Sequence, residues 1–152
     1  MQQPRCSCHP IEADRHRGSC SAASRSELWC IGDSSAAGAL ADLVPEAEVA
    51  HLASSAELVT RLEDGGSPKI IVACCDTGSH PSLPVLAALR THPHMPRHGV
   101  FVRLTQPLRA HVVRCARMGL VNVLAADAEA SLVQRRLRAA LNYRPRATDV
   151  RP

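Results

Sequence analysis

The chain of 152 residues predicts an α/β fold: an open, parallel, five-stranded sheet in the order 2-1-3-4-5 with helices on both faces. Three observations lead there. Five short apolar runs alternate with five segments of helical spacing, and that alternation builds a parallel sheet through right-handed crossovers. The central run, Lys69-Ile-Ile-Val-Ala-Cys-Cys75, is apolar throughout after its first residue, as a strand buried on both faces must be. The composition is 45% hydrophobic but only 2% aromatic, so the core is built of Ala, Val, Leu and Ile, suited to closely packed helix-on-sheet layers.

Leu28-Trp-Cys-Ile31 is the first strand, stopped by Gly32-Asp33. The small, Ala-rich stretch from Ser34 to Leu43 is a short helix ended near Pro45, and Glu48–Ala53 is the second strand. Ser54 or Ser55 caps the second helix, with Glu57, Leu58, Val59 and Leu62 behind it and Gly65-Gly66 stopping it. Strand three spans Lys69–Cys75, and Ser82–Arg90 is the third helix, with Pro84 tolerable in its first turn. A Pro- and His-rich loop leads to strand four, residues 99–104. Pro107 opens a fourth helix that runs to Met118, Leu120–Ala125 is strand five, and Asp127 caps a fifth helix over roughly Ala128–Asn142. Each crossover on the same hand gives the flavodoxin-like strand order.

Composition narrows the function classes. No apolar run approaches the ~18 residues of a membrane span, and the first residues lack the apolar core of an export signal, so a cytoplasmic location is expected. Of seven cysteines, Cys30, Cys74, Cys75 and Cys115 lie inside apolar segments; a disulfide framework is not expected of cytosolic thiols. Residues 1–26 hold four Arg against two acids, residues 27–100 four Lys or Arg against nine acids, and residues 101–152 ten Arg against three acids, so the positive charge is concentrated in the last third. That third fits an acidic partner or an acidic patch of another copy. Nucleic-acid binding is disfavoured, because stacking aromatics are limited to Trp29, Phe101 and Tyr143 and no helix-turn-helix follows the fifth helix.

The order of elements, the turn Cys74-Cys-Asp-Thr-Gly78 after strand three, and Thr105 closing Val100-Phe-Val-Arg-Leu-Thr105 together resemble the receiver domain of bacterial two-component response regulators. The resemblance covers about residues 27–142. It implies an acidic pair after strand one that binds magnesium, an Asp ending strand three that takes a phosphoryl group, a Thr or Ser ending strand four, and a Lys ending strand five. Here the acidic pair is Gly32-Asp33, the acceptor position falls on Cys74 with Asp76 two residues later, the hydroxyl is Thr105, and the Lys position is Ala126 or Ala125. Magnesium needs several hard oxygen ligands; Asp33 and Asp76 are at most a weak pair for it. The resemblance therefore implies a degenerate (pseudo-)receiver with the pocket Asp33, Cys74, Asp76, Thr105 and Ala126, no cofactor and no catalysis. It also implies a partner or self-dimer surface on the face of helix four, strand five and helix five.

On helix four, Val112, Val113 and Ala116 are expected to point inward, leaving His111, Arg114 and Arg117 outward. On helix five, Leu132, Val133, Leu137 and Leu141 are expected inward, with Arg135 and Arg138 outward. These five polar residues form the expected partner surface. Two other readings compete: a small enzyme with Cys74 or Cys75 as nucleophile and His51 or His80 as base, and a phosphorylatable receiver using Asp76. Cys6, Cys8, His9, His16 and Cys20 are zinc-compatible residue types, but their spacing is not that of a common structural site. His92, His94 and His98 read as a solvated connector. Residues 1–26 are expected to be a disordered tail, 27–143 the receiver-like domain, and 144–152 a flexible C-terminal tail.

Overall fold

The computed structural model describes residues 27–144 and 146. The expected tail 1–26, with its Cys and His residues, and the segment from 147 onward lie outside the described residues. The elements are β1 (Glu27–Ile31), α1 (Ser34–Leu43), β2 (Glu48–Leu52), α2 (Ser55–Glu63), β3 (Ile70–Cys75), α3 (Ser82–Ala88), β4 (Val100–Leu104), α4 (Arg109–Arg117), β5 (Val123–Ala125) and α5 (Ala130–Leu141). All strand pairs are parallel, as the alternation of segments implies, and the order is β2-β1-β3-β4-β5, the order expected.

Successive residues of a strand point to opposite faces, and β3 divides accordingly. Ile71, Ala73 and Cys75 join Leu58 and Leu62 of α2, Leu83 and Leu86 of α3 and Cys115 of α4 in one layer. Ile70 and Val72 join Ala36, Ala37 and Leu40 of α1 and Val133, Leu137 and Leu141 of α5 in the other, with Cys74 packed against it. Each fully buried Leu or Ile contributes about 1.5–3 kcal/mol of apolar burial. Ala36 and Ala37 let α1 lie close on the sheet.

Helix starts follow local hydrogen bonding. Asp33 Oδ1 accepts from the Ser35 and Ala36 N–H groups and caps α1. Ser54 Oγ accepts from Glu57 N–H while the Glu57 carboxylate accepts from Ala53 N–H, a reciprocal pair that starts α2. His80 Nδ1 accepts from Ser82 N–H at the head of α3.

Several expectations need correction. α4 starts at Arg109, two residues after Pro107, because Leu108 keeps an extended backbone. β5 keeps only the last three of the expected residues; Gly119, at φ +81, turns the chain, and Leu120 is buried from a loop. α5 begins after Glu129, because Asp127 and Ala128 sit in a turn closed by Ala128 N–H to Ala125 O. α3 ends at Ala88 and tightens into one 3-10 turn over Leu89–Thr91. The inward stripe of α4 is Cys115 with partly buried Val112, whereas Val113 and Ala116 are exposed. Cys115, a small buried apolar side chain, takes the sheet-facing position and rotates the stripe. On α5 the stripe is Val133, Leu137 and Leu141, four residues apart, and Leu132, a helical step off it, is exposed.

Candidate functional site

The carboxyl ends of β1, β3 and β4 open into a cleft of about 630 Å³. The sheet's own hydrogen-bond ladder builds it by running one step past the strands. Gly32 N–H donates to Leu52 O (3.3 Å), Thr105 N–H to Cys75 O (3.0 Å) and Ala126 N–H to Leu104 O (2.9 Å). The structure brings all five residues of the expected pocket, Asp33, Cys74, Asp76, Thr105 and Ala126, to the cleft wall, together with Gly32, Ser35, His80 and Arg103.

Their chemistry is unequal. The Asp33 carboxylate is engaged as the α1 cap, and its hydrogen bonds from the Ser35 hydroxyl and N–H and from Ala36 N–H hold its pKa below the usual carboxylate value. Gly32 adopts φ +136, and a Cβ there would stand 3.0 Å from the Cys74 Cβ. Position 32 therefore has no room for the second acid of a magnesium pair. Among the described residues, no group of three or more His, Cys, Asp or Glu side chains is placed to hold a metal ion. The residues present do not fit a receiver magnesium site.

Cys74 lies across from Arg103 in the β3–β4 register, and its sulfur is 3.9 Å from that of Cys30 on β1. Hydrogen bonding from the Cys30 thiol, with the Arg103 guanidinium beside it, pulls the Cys74 thiol down to about 7 against the cost of its burial. Cys30 moves the opposite way, holding its proton as donor to Cys74 in a buried site. Cys75 faces the other layer, where burial pushes it up to about 12. Neither candidate base is joined to a thiol: His51 Nε2 donates to Gly32 O at 2.5 Å, and His80 Nδ1 is taken by Ser82 N–H.

Sequence reasoning missed Cys30 and Arg103. The Arg103 guanidinium donates to Ala126 O at 3.2 Å and brings a cation to the side of the cleft where Ala126 offers none. The signal was a lone charge inside an apolar strand, two residues before Thr105 and so on its face.

The expected partner residues have different neighbours. Arg114 donates to Ser79 Oγ and His111 Nδ1 to Gln106 O, so both lean over the loops after β3 and β4. Arg117 lines a groove on α4 with Arg109, Val113 and Arg114. Arg138 instead pairs with Glu46 between α1 and β2, on the opposite face of the sheet, and Arg135 is exposed. Arg136, not singled out from sequence, donates to Val123 O on edge strand β5. His92 and His94 meet edge to face, with ring centroids 5.5 Å apart.

Comparison with solved structures gives a consistent answer. A receiver domain of a signal-transduction histidine kinase from Syntrophus aciditrophicus superposes with a TM-score of 0.65 at 15% identity, covering 80% of this chain and 96% of that one. The chemotaxis response regulator CheY4 of Vibrio cholerae gives 0.62 at 10% identity, covering 76% and 98%. The chain has the receiver fold. A pilus assembly-related protein of Burkholderia pseudomallei shares that fold, with a TM-score of 0.63 at 18% identity over 78% of this chain and 90% of that one. No family model and no curated protein sequence matches the chain. Among the described residues, no helix is long and apolar enough to cross a membrane.

Proposed function

We propose that the chain is a receiver-like signalling domain that acts through protein–protein contact and without aspartyl phosphorylation. The observation that carries this reading is the state of the strand-end cleft. A thiol stands at the acceptor position implied by the receiver resemblance, Gly32 excludes one metal-binding acid, and the other is spent capping α1. Transfer of a phosphoryl group needs charge compensation on its equatorial oxygens; Arg103 supplies a cation, but among the described residues no group of three or more His, Cys, Asp or Glu side chains accompanies it to hold a metal.

The contact surface we assign to this activity is the outer side of α4. Arg109, Arg114 and Arg117 flank exposed Val113 there, an apolar spot ringed by positive charge and suited to an acidic partner surface. The location we propose for such a domain is the cytoplasm.

The test is treatment of the purified chain with acetyl phosphate and magnesium, followed by intact mass. No added phosphate on the folded protein is the expected result. A phosphate adduct that disappears in Asp76→Ala would establish a shifted acceptor and overturn the proposal.

A further inference from the structure

The four described cysteines are not equivalent. Cys30 is fully buried and Cys115 is buried in the α2/α3/α4 layer; Cys74 and Cys75 both line the cleft, but Cys75 is buried with its side chain in that same layer, and Cys74 alone of the four is half-buried. It does so with the Arg103 guanidinium opposite and the Cys30 sulfur at 3.9 Å. Reactivity of a cysteine follows thiolate character and access, and Cys74 alone combines them: Cys75 is pushed up to about 12 and Cys115 is also raised, both by burial.

We propose that Cys74 is an oxidative modification site at which a hydroperoxide entering the cleft forms a sulfenic acid, flanked by Cys30 and Arg103. The inference rests on the reading of the cleft as a phosphate-independent input. The Cys74 thiolate attacks the peroxide; an S–O bond forms and the O–O bond breaks. The sulfur loses two electrons, and the distal oxygen leaves as hydroxide or alkoxide, which takes a proton from water. The product adds an oxygen to the cleft that Arg103 and Thr105 also line, on the wall the receiver resemblance assigns to a phosphoryl group.

Cys30 does not resolve this product as a disulfide. It registers with Val72, so Cys74 stands two residues further along the neighbouring strand. With strands about 4.8 Å apart and a rise of about 3.3 Å per residue, the two Cα atoms are about 8 Å apart. A bridge without backbone movement needs less than about 7 Å. The Cys30 thiol is a hydrogen-bond donor, and the sulfenic acid is left for a small external thiol, which forms a mixed disulfide and releases water.

The experiment uses the full chain with stoichiometric hydrogen peroxide and dimedone, followed by non-reducing peptide mapping. Dimedone on Cys74 ahead of Cys30, Cys75 and Cys115, retained in Cys30→Ser and about threefold slower at pH 7 in Arg103→Gln, is the expected pattern. No adduct on Cys74 in folded protein, or equal labelling of Cys74, Cys75 and Cys115, overturns the site. A disulfide joining Cys74 to any other cysteine of the chain overturns the unresolved sulfenic acid. The acetyl phosphate assay reads a different mass on a different residue, so a failure of the sulfenic acid site and a failure of the phosphate-independent reading are told apart.

Discussion

Gly32 and Cys74 touch across the β1–β3 seam: a Cβ on Gly32 would stand 3.0 Å from the Cys74 Cβ and 3.1 Å from the Cys74 carbonyl oxygen. The acid missing from position 32 is thus excluded by backbone geometry as well as by residue identity. Gly32→Asp, which restores the acidic pair on paper, is expected to gain no magnesium affinity. It should lose about 1–3 kcal/mol of stability, because a side chain is forced into an unfavourable backbone region against a packed neighbour. Isothermal titration with magnesium and a urea melt check both halves.

The pH dependence of Cys74 alkylation follows from its surroundings. Cys30 on β1 and Arg103 on β4 favour the thiolate, while Asp33 opposes it. A thiol reacts as its thiolate, so the native rate with iodoacetamide should rise with pH and reach half its plateau near pH 7. In urea the midpoint should move up toward the ordinary thiol value of 9.0. A native midpoint at or above the denatured one would remove the Arg103 and Cys30 argument.

Asp33 carries a second pH signature. Its folded-state pKa is lowered by hydrogen bonds from Ser35 and Ala36. The cap therefore contributes stability above the ordinary carboxyl value of 3.8, and that contribution is lost as pH falls through the lowered folded value. Asp33→Asn keeps a cap acceptor and should flatten this part of the acid limb, whereas Asp33→Ala should lower the melting temperature at neutral pH as well. Urea midpoints measured from pH 7 to pH 2.5 separate the two variants.

The buried stripe of α5 predicts unequal costs for two similar substitutions. Leu137 is fully buried against the sheet, and Leu137→Ala should cost about 2–5 kcal/mol. Leu132 is 37% exposed, and Leu132→Ala should stay within about 0.5 kcal/mol. Equal losses in chemical denaturation would mean that the helix sits differently on the sheet.

How much of this was legible in the sequence follows from which contacts are local. The Lys69–Cys75 run, the Gly32 and Gly65-Gly66 stops and the Ser54–Glu57 spacing each announce an element through their own neighbours, and the strand order followed. The five pocket residues were legible too, because strand ends converge whatever the detailed packing. The phase of α4 was not, since one small thiol, Cys115, displaced the larger Val113 from the interior. Nor was the division of the arginines: Arg114 to Ser79, Arg136 to Val123 and Arg138 to Glu46 are long-range partnerships that helical periodicity does not encode. Arg103 was visible as a charge in a strand, but its role needed the register that sets it opposite Cys74.

Trp29 is the chain's single tryptophan. It is buried in the α2/α3/α4 layer with Gly66 hard against its ring, its Nε1 finds no hydrogen-bond partner among the described residues, and Arg61 lies 5.8 Å over it. Cys74 belongs to the other side of the sheet. Intrinsic fluorescence is therefore an optical gauge separated from the Cys74 side chain by a full layer of backbone. Chemistry confined to Cys74 should leave the emission of Trp29 unchanged, so a spectral shift that accompanies oxidation mapped to Cys74 alone would be a sign that the sheet itself carries a message from one face to the other.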